Sequence, residues 1–369
     1  MPVRGYGSAI VVGKFLPPHA GHHSLIEHAE SLADRVLVLL VDGHGELPSA
    51  DRRALWLQAI HPEVDVVVAA DLCRHGTDPC VIECSDRWAA WLGNAIPGRF
   101  DLVVSSETYG QTFAERIGAT HVSFDPERAG HAVSGDAVRA DLLGQWLNLR
   151  PIVRAGLHRR VVILGAESTG STTLARDLAK SIGAPVVMEA GRTASWVLAG
   201  RSGGWDEVKW NVEDFRRILA DQRRLEADAA HRGALGEHGA LGPWIVCDTD
   251  ALATVAWWER YLDGGSEEAL AFARSDLADL YLVTDPTDVE FEQDGIRDGE
   301  HVRHAMHQRF CELSDASGRP WRLVAGTPLE RVADAVSALT EFERRHPRFV
   351  STDNRVYAVD RDPKDFRRG

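Results

Sequence analysis

Two short stretches carry residues whose types and spacing can do chemistry. The first, GKFLPPHAGHHS at residues 13–24, follows the apolar run Ala9-Ile10-Val11-Val12 and brings together Lys14, His19 and His22. Two histidines three apart around Gly21, where a helix begins, form a compact set of donors, and the unsatisfied N–H groups of the helix add to it. Such a set suits the phosphates of a nucleotide. The second stretch, GAESTGSTT at residues 165–173, follows Val161-Val162-Ile163-Leu164 and has the spacing of a phosphate-binding loop, G-x-x-x-x-G-K-[ST]. Gly165 and Gly170 stand where that loop needs glycine, and Thr172 where it needs a hydroxyl for magnesium. Ser171 holds the lysine position. The question is whether this loop has lost its cation or draws one from elsewhere.

The elements around these stretches alternate. Short apolar segments at 9–12, 35–41, 64–69, 101–105 and 121–124 read as buried strands, with amphipathic segments such as 24–33 and 51–60 between them. This order implies a parallel, doubly wound sheet. Its ligands bind beyond the carboxyl ends of the strands, where both stretches lie. A proline and several arginines break the pattern at 147–160, and a second unit then starts at Arg159, with strands near 161, 185–188, 244–247 and 280–284. The residues after His346 are polar and without periodicity, which predicts a loose appendage. The chain is thus expected to be α/β throughout, with domains at 1–150 and 158–345 and a polar tail at 346–369.

Bulk properties bound the function. A length of 369 residues favours two cores over one. No run approaches the roughly 18 to 20 apolar residues of a membrane span, and the N-terminus moves into a strand without a signal-like segment. Five cysteines, an odd number unevenly spaced, do not make a disulfide framework. A net charge of -14 argues against general nucleic-acid binding. The expectation is a cytoplasmic enzyme acting on small molecules, without nucleic acid or membrane as partner and with self-association left open. Cys73, His75, Cys80 and Cys84 fall within twelve residues, but their spacing lacks the paired C-x2-C knuckles of zinc sites, so ordinary thiols are expected there.

Further residues carry a family resemblance. Gly13-Lys14-Phe15, Pro17 and His19-Ala20-Gly21-His22 resemble the signature of the HxGH nucleotidyltransferases, and VSGDAVR at 133–139 resembles their second signature. From about 10 to about 310 the chain is similar to the bifunctional nicotinamide-nucleotide adenylyltransferase/ribosylnicotinamide kinases of bacterial NAD salvage. Trp88 with Trp91, Ser105-Ser106-Glu107, Asp125-Pro126-Glu127-Arg128, Glu189 with Arg192, Asp248-Thr249-Asp250 and Asp294-Gly295-Ile296-Arg297 carry the match. Some members of that family have an N-terminal helix-turn-helix repressor domain; this chain enters its first strand almost at once, so no DNA-binding role is expected.

The resemblance implies a Rossmann-like nucleotidyltransferase domain followed by a P-loop nucleoside-kinase-like domain. It implies ATP, nicotinamide mononucleotide, nicotinamide riboside and NAD as ligands and Mg2+ with the ATP. In the first domain His19, His22, Lys14 and Arg139 would stabilise the transferring phosphorus, with Gly13, Phe15, Gly21 and Ser134 around the ATP. Ser106 would contact substrate, and Trp88 is a candidate either to stack on the nicotinamide ring or to pack in the core. In the second domain Gly165, Glu167, Ser168, Thr169, Gly170, Ser171, Thr172 and Thr173 would cradle nucleotide, and Glu189 would accept the proton of the 5′-hydroxyl. Arg192 and Asp250 would contact the riboside, and Thr172 with Asp248 would hold magnesium. The stretch 293–303 reads as a lid carrying Arg297 and Arg303 towards the phosphates. The alternative for this half is a nucleotide- or riboside-binding sensor or structural module without turnover.

Overall fold

The computed structural model describes residues 5–43, 45–70, 72, 81–127, 129–130, 132–202, 208–236, 238–262, 264–287, 289–291 and 300–351. The chain divides into two compact units, one from Met1 to Arg154 joined by Pro347–Ala358, the other from Ala155 to His346 joined by Val359–Gly369.

In the first unit five strands, β1 (Tyr6–Gly13), β2 (Ala33–Val41), β3 (Asp65–Ala69), β4 (Leu102–Ser105) and β5 (Thr120–Ser123), form a sheet in the order β3-β2-β1-β4-β5. Every pairing is parallel. β1 is central because its side chains are apolar on both faces. Ala9 and Val11 pack with Leu25 and Ile26 on one side, and Ile10 and Val12 pack with Trp88 and Phe113 on the other. That is the period-two alternation of a strand covered by helices on both sides. After β1 the chain winds out to β2 and β3, then returns past β1 to β4 and β5, so a crevice opens beyond the ends of β1 and β4.

The second unit repeats the plan with β6 (Arg159–Leu164), β7 (Val186–Val187), β8 (Trp244–Asp248), β9 (Leu280–Thr284) and β10 (Trp321–Val324), in the order β10-β9-β6-β8-β7 and again all parallel. Val161 and Ile163 of β6 face one apolar cluster, Val162 and Leu164 the other. β10 is absent from the strands read off the sequence. It sits at the sheet edge with only Val324 buried, so its four residues carry too little apolar pattern to stand out.

The segment after His346 corrects the expectation of a loose appendage as far as it is described. Val350 pairs with Leu47 in an antiparallel bridge, with N–H···O distances of 2.8 and 3.1 Å, and Ser351 is buried. Among the described residues no helix is long and apolar enough to cross a membrane.

Candidate active sites

In the first unit the loop after β1 turns sharply: Phe15 has φ 51°, and His19, extended at φ −139° and ψ 173°, caps the helix Ala20–Leu32. One helical turn separates His19 from His22, so their rings stack at 3.7 Å between centroids, with Phe15 4.9 Å from His22. Gly21 allows this: a Cβ there would stand 3.3 Å from Cε1 of His19. The second signature arrives from the other edge of the crevice. Ser134 caps the helix Gly135–Ala140, its hydroxyl accepting from the Ala137 N–H at 3.1 Å. Arg139 on that helix donates to the Leu16 carbonyl at 2.8 Å and pairs with Asp136. His19, His22, Gly21, Ser134 and Arg139 are therefore gathered around one loop.

Lys14 is placed differently from the expectation of a phosphate donor, because its ammonium pairs with Glu46 at 3.0 Å. Glu46 also meets Arg53 at 3.3 Å, and Arg53 reaches Asp42 and the Lys14 carbonyl. Burial pushes Glu46 upward, but Lys14 and then Arg53 hold it below the usual carboxylate range. Sequence reasoning missed Asp42, Glu46 and Arg53, which lie in and after the loop following β2 without a motif to mark them. Trp88 takes the core position of its two candidate roles, 5% exposed and edge-on to Tyr109 at 5.1 Å and Phe113 at 6.0 Å. Ser106 lies at the bend just after β4, half-buried at the crevice end of the sheet.

In the second unit the loop between β6 and the helix Ser171–Ile182 places Ser168 at φ 60° and Gly170 at φ 79°. These left-handed residues turn backbone N–H groups inward, the geometry of an anion nest. Gly165 could carry no side chain, since a Cβ would lie 2.2 Å from Oγ1 of Thr284. Thr169 is pinned by hydrogen bonds of 2.7 Å to the Ala166 carbonyl and to the Thr284 hydroxyl. Thr172 donates to Oδ2 of Asp248 at 2.7 Å. Asp248 is 1% exposed at the end of β8, and its Oδ1 has no hydrogen-bond partner among the described residues. Burial raises its pKa. A hydroxyl and a half-satisfied buried carboxylate at a phosphate loop fit a hard divalent cation.

A cavity of about 290 Å³ opens beside the loop, bordered by Ser171, Thr172, Glu189, Arg192, Trp210 and Trp257 among others. Burial, and next the neighbouring Asp248, push Glu189 up to about 7 against the pull of Arg192, whose Nε lies 3.8 Å away. Gln222 holds the ground beneath: its Oε1 accepts from Ala190 N–H at 2.9 Å and its Nε2 donates to the Thr249 carbonyl at 3.2 Å. It thereby ties together the chain beside Glu189 and beside Asp248. Glu167 faces Arg260 at 3.4 Å, and that guanidinium lies over Tyr261 and Trp257 at 4.8 and 5.5 Å. A second cavity, of about 570 Å³, borders the far side of the loop between Thr169, Gly170, Thr173 and Arg331.

Two residues correct the sequence reading here. Asp250 does not face the cavity: its Oδ1 caps the helix Ala251–Tyr261 through the Leu252 and Ala253 N–H groups, and its Oδ2 accepts from the buried Tyr281 hydroxyl at 2.9 Å. An Asp ahead of an apolar helix is an N-cap by preference, and that rule prevailed. Arg303 starts the helix Arg303–Ser317 and donates to the carbonyls of Val289 and Ser168 at 2.8 and 2.9 Å, so it braces the loop's backbone. Arg297, Arg128, Cys73, His75 and Cys80 lie outside the described residues; Cys84 packs in the core. Gln222, Arg260 and Arg331 were missed because each sits mid-pattern in a helix where nothing local distinguishes it.

The second unit matches a family model described as an AAA domain over residues 160–331. Across 282 residues, 70% of this chain, it is 26% identical to the "Trifunctional NAD biosynthesis/regulator protein NadR" of Salmonella typhimurium, and across 273 residues 26% identical to the protein of the same name from Escherichia coli K12. The chain is homologous to the NadR proteins. It spans 64% and 62% of the length of these two relatives, less than two thirds. Among solved structures, a NadR protein in complex with NR superimposes with a TM-score of 0.65 at 21% identity, covering 92% of this chain and 96% of that one. A NadR protein in complex with NAD and AMP-PNP superimposes at 0.62 and 19%. These likenesses bear out the α/β architecture of two successive parallel-sheet units.

Proposed function

We propose that the first unit transfers an adenylyl group from ATP to nicotinamide mononucleotide, and that the second phosphorylates nicotinamide riboside with ATP to supply that mononucleotide. The observation that carries the first half is the stacked His19–His22 pair at a helix N-terminus, with Ser134 and Arg139 brought to the same loop. A 5′-phosphate oxygen of the mononucleotide attacks the α-phosphorus of ATP, the bond to the β-phosphate bridge breaks, and pyrophosphate leaves. No covalent intermediate is needed, so the unit has only to position the reactants and to stabilise charge on the five-coordinate phosphorus. His19, His22 and the helix N-terminus are suited to that, and Arg139 to the triphosphate. Lys14, bound to Glu46, is suited to shaping the loop.

In the second unit Glu189, held at about 7, is suited to take the proton of the riboside 5′-hydroxyl as that oxygen attacks the γ-phosphorus and ADP departs. Thr172 and Asp248 are the residues to hold Mg2+, which when bound would neutralise charge on the β- and γ-phosphates. Aromatic walls with Glu167 and Glu189 nearby suit a cationic pyridinium ring, which favours aromatic faces and acidic surroundings. The NadR relatives are named for NAD biosynthesis and have been crystallised with NR, NAD and AMP-PNP, which supports the reading. An enzyme of this kind would work in the cytoplasm.

Purified protein is expected to make NAD from the mononucleotide, ATP and Mg2+, and His22→Ala should lower kcat roughly 10²- to 10³-fold, the usual effect of losing one transition-state donor. Unchanged melting temperature would separate this loss from unfolding. Undiminished NAD formation by that variant would remove the histidine pair from the reaction.

A further inference from the structure

The lysine position of the phosphate loop holds Ser171, yet a buried cation stands directly behind the same loop. Arg331, on the first turn of the helix Pro328–Arg345, is 5% exposed. Its Nη1 donates to the Thr169 carbonyl at 2.5 Å, its Nη2 to the Asp285 carbonyl at 2.9 Å and its Nε to the Gly326 carbonyl at 2.8 Å. A Cβ on Gly170 would meet Nη1 at 3.5 Å, so the guanidinium lies against the residue that caps the loop's helix. Carbonyl oxygens satisfy its hydrogen bonds, and its charge is offset only through space, by the Asp285 carboxylate. Among the described residues no carboxylate forms an ion pair with it, and the Asp285 carboxylate is turned to the Thr287 N–H at 2.7 Å. Burying a cation without a directly paired carboxylate is costly, and proteins tolerate it where a counter-ion completes the site. The helix that carries it is set by a capping box, Thr327 with Glu330, and by Pro328, so the guanidinium is held in place by the fold itself.

We propose that Arg331 supplies the positive charge the phosphate loop lacks at Ser171, acting through the backbone of Thr169 and Gly170 as a positioning residue for the phosphates of a nucleoside triphosphate. The proposal rests on the nucleotide-binding reading of the second unit. A lysine at position 171 would place a mobile ammonium among the phosphates. Arg331 instead fixes its charge behind them, and the neighbouring Arg303 braces Ser168 in the same way.

The test is a double-mutant cycle on the full chain: wild type, Arg331→Gln, Arg331→Lys, Ser171→Lys and Arg331→Gln with Ser171→Lys. Nicotinamide riboside phosphorylation is followed against ATP concentration with Mg2+, and melting temperature is recorded for each protein. Arg331→Gln should lower kcat/KM for ATP on the order of 10²-fold. Ser171→Lys should restore most of that loss in the Gln background and should raise kcat/KM for ATP there by a clearly larger factor than in the wild type, because the second charge adds less than the first. A purely structural brace could not be replaced by a lysine at 171; equal effects of Ser171→Lys in both backgrounds, or no loss in Arg331→Gln, would overturn the proposal. Should Arg331→Gln melt below the assay temperature, Arg331→Lys decides at a temperature where it is folded. It keeps the charge and drops carbonyl bonds, so it must lose clearly less kcat/KM for ATP than the loss on the order of 10²-fold expected of Gln, and a loss of that full order would overturn the proposal. Absence of riboside turnover in all five proteins would overturn the kinase reading. The same cycle, read as affinity for AMP-PNP with Mg2+, would then judge the charge on its own, since any binding in the first unit is common to every variant.

Discussion

Burial and the Asp248 carboxylate together keep a proton on Glu189 up to about pH 7, while Arg192 pulls the other way. A base works only when deprotonated, so kcat/KM for riboside phosphorylation should rise with pH through about 7 and level off above it. Arg192→Gln removes the cation that favours the carboxylate, and the rise should move to higher pH. A profile unchanged by that substitution would point to another base. The same shift has a stability side. The folded carboxyl at about 7 exceeds its unfolded value of 4.5, so the folded state holds the extra proton between those values and Glu189 loses stabilising effect as pH rises through that window. At this scale the sequence was informative where a motif fixes spacing, as for His19, His22 and Thr172. It misled where a residue type had two uses: Asp250 went to a helix cap and Arg303 to a carbonyl brace.

The helix Val212–Gly233 shows what an element contributes beyond its own face. A capping box at Asn211 and Asp214 fixes where it starts, and Phe215, Ile218 and Leu219 seat it on the core. That seating delivers Gln222, seven residues past Phe215, between Ala190 and Thr249. Thr249 has φ 69°, a strained conformation for a threonine, and the hydrogen bond to its carbonyl helps hold it. Gln222→Leu keeps the volume and removes these two bonds together with a third, from Nε2 to Oε1 of Glu226 at 3.2 Å. It should cost about 1–3 kcal/mol of stability by stranding the Ala190 N–H. It should also lower kcat for riboside phosphorylation more than it changes KM, since the displaced groups are Glu189 and Asp248. Thermal melts and steady-state kinetics on the one variant check both parts. The capped helix and its apolar stripe are legible in the sequence. That a glutamine on the same buried stripe, seven residues past Phe215, reaches under a strand end is not, because in the sequence a polar residue there reads only as a break in the stripe.

For the molecule as a whole, acidity acts on the first unit through His23. That imidazole is 1% exposed, contacts His61 at 3.0 Å, and is lowered to about 3 by burial and then by His61. An unfolded chain takes up the proton near 6.5 and the folded one does not. Stability should therefore fall as pH drops from 6.5 towards 3, by about 1.4 kcal/mol per pH unit for the one proton. Calorimetry from pH 7 to pH 5 should show the first unit's melting temperature falling, and His23→Asn, which keeps a donor near His61, should flatten the slope. The two-unit plan was readable from the alternation of strands and helices. The return of the last described residues to the first unit was not, since Phe349-Val350 is only a two-residue apolar step between Arg348 and Ser351. That return, the Leu47–Val350 bridge, has a consequence for how the protein is made. Emerging from the ribosome, the first unit begins before the second but lacks one of its pieces until residue 350 has left the tunnel. Domain-by-domain folding during synthesis is here interleaved: the unit that starts first waits for a piece that follows the second unit's sheet and helices through His346.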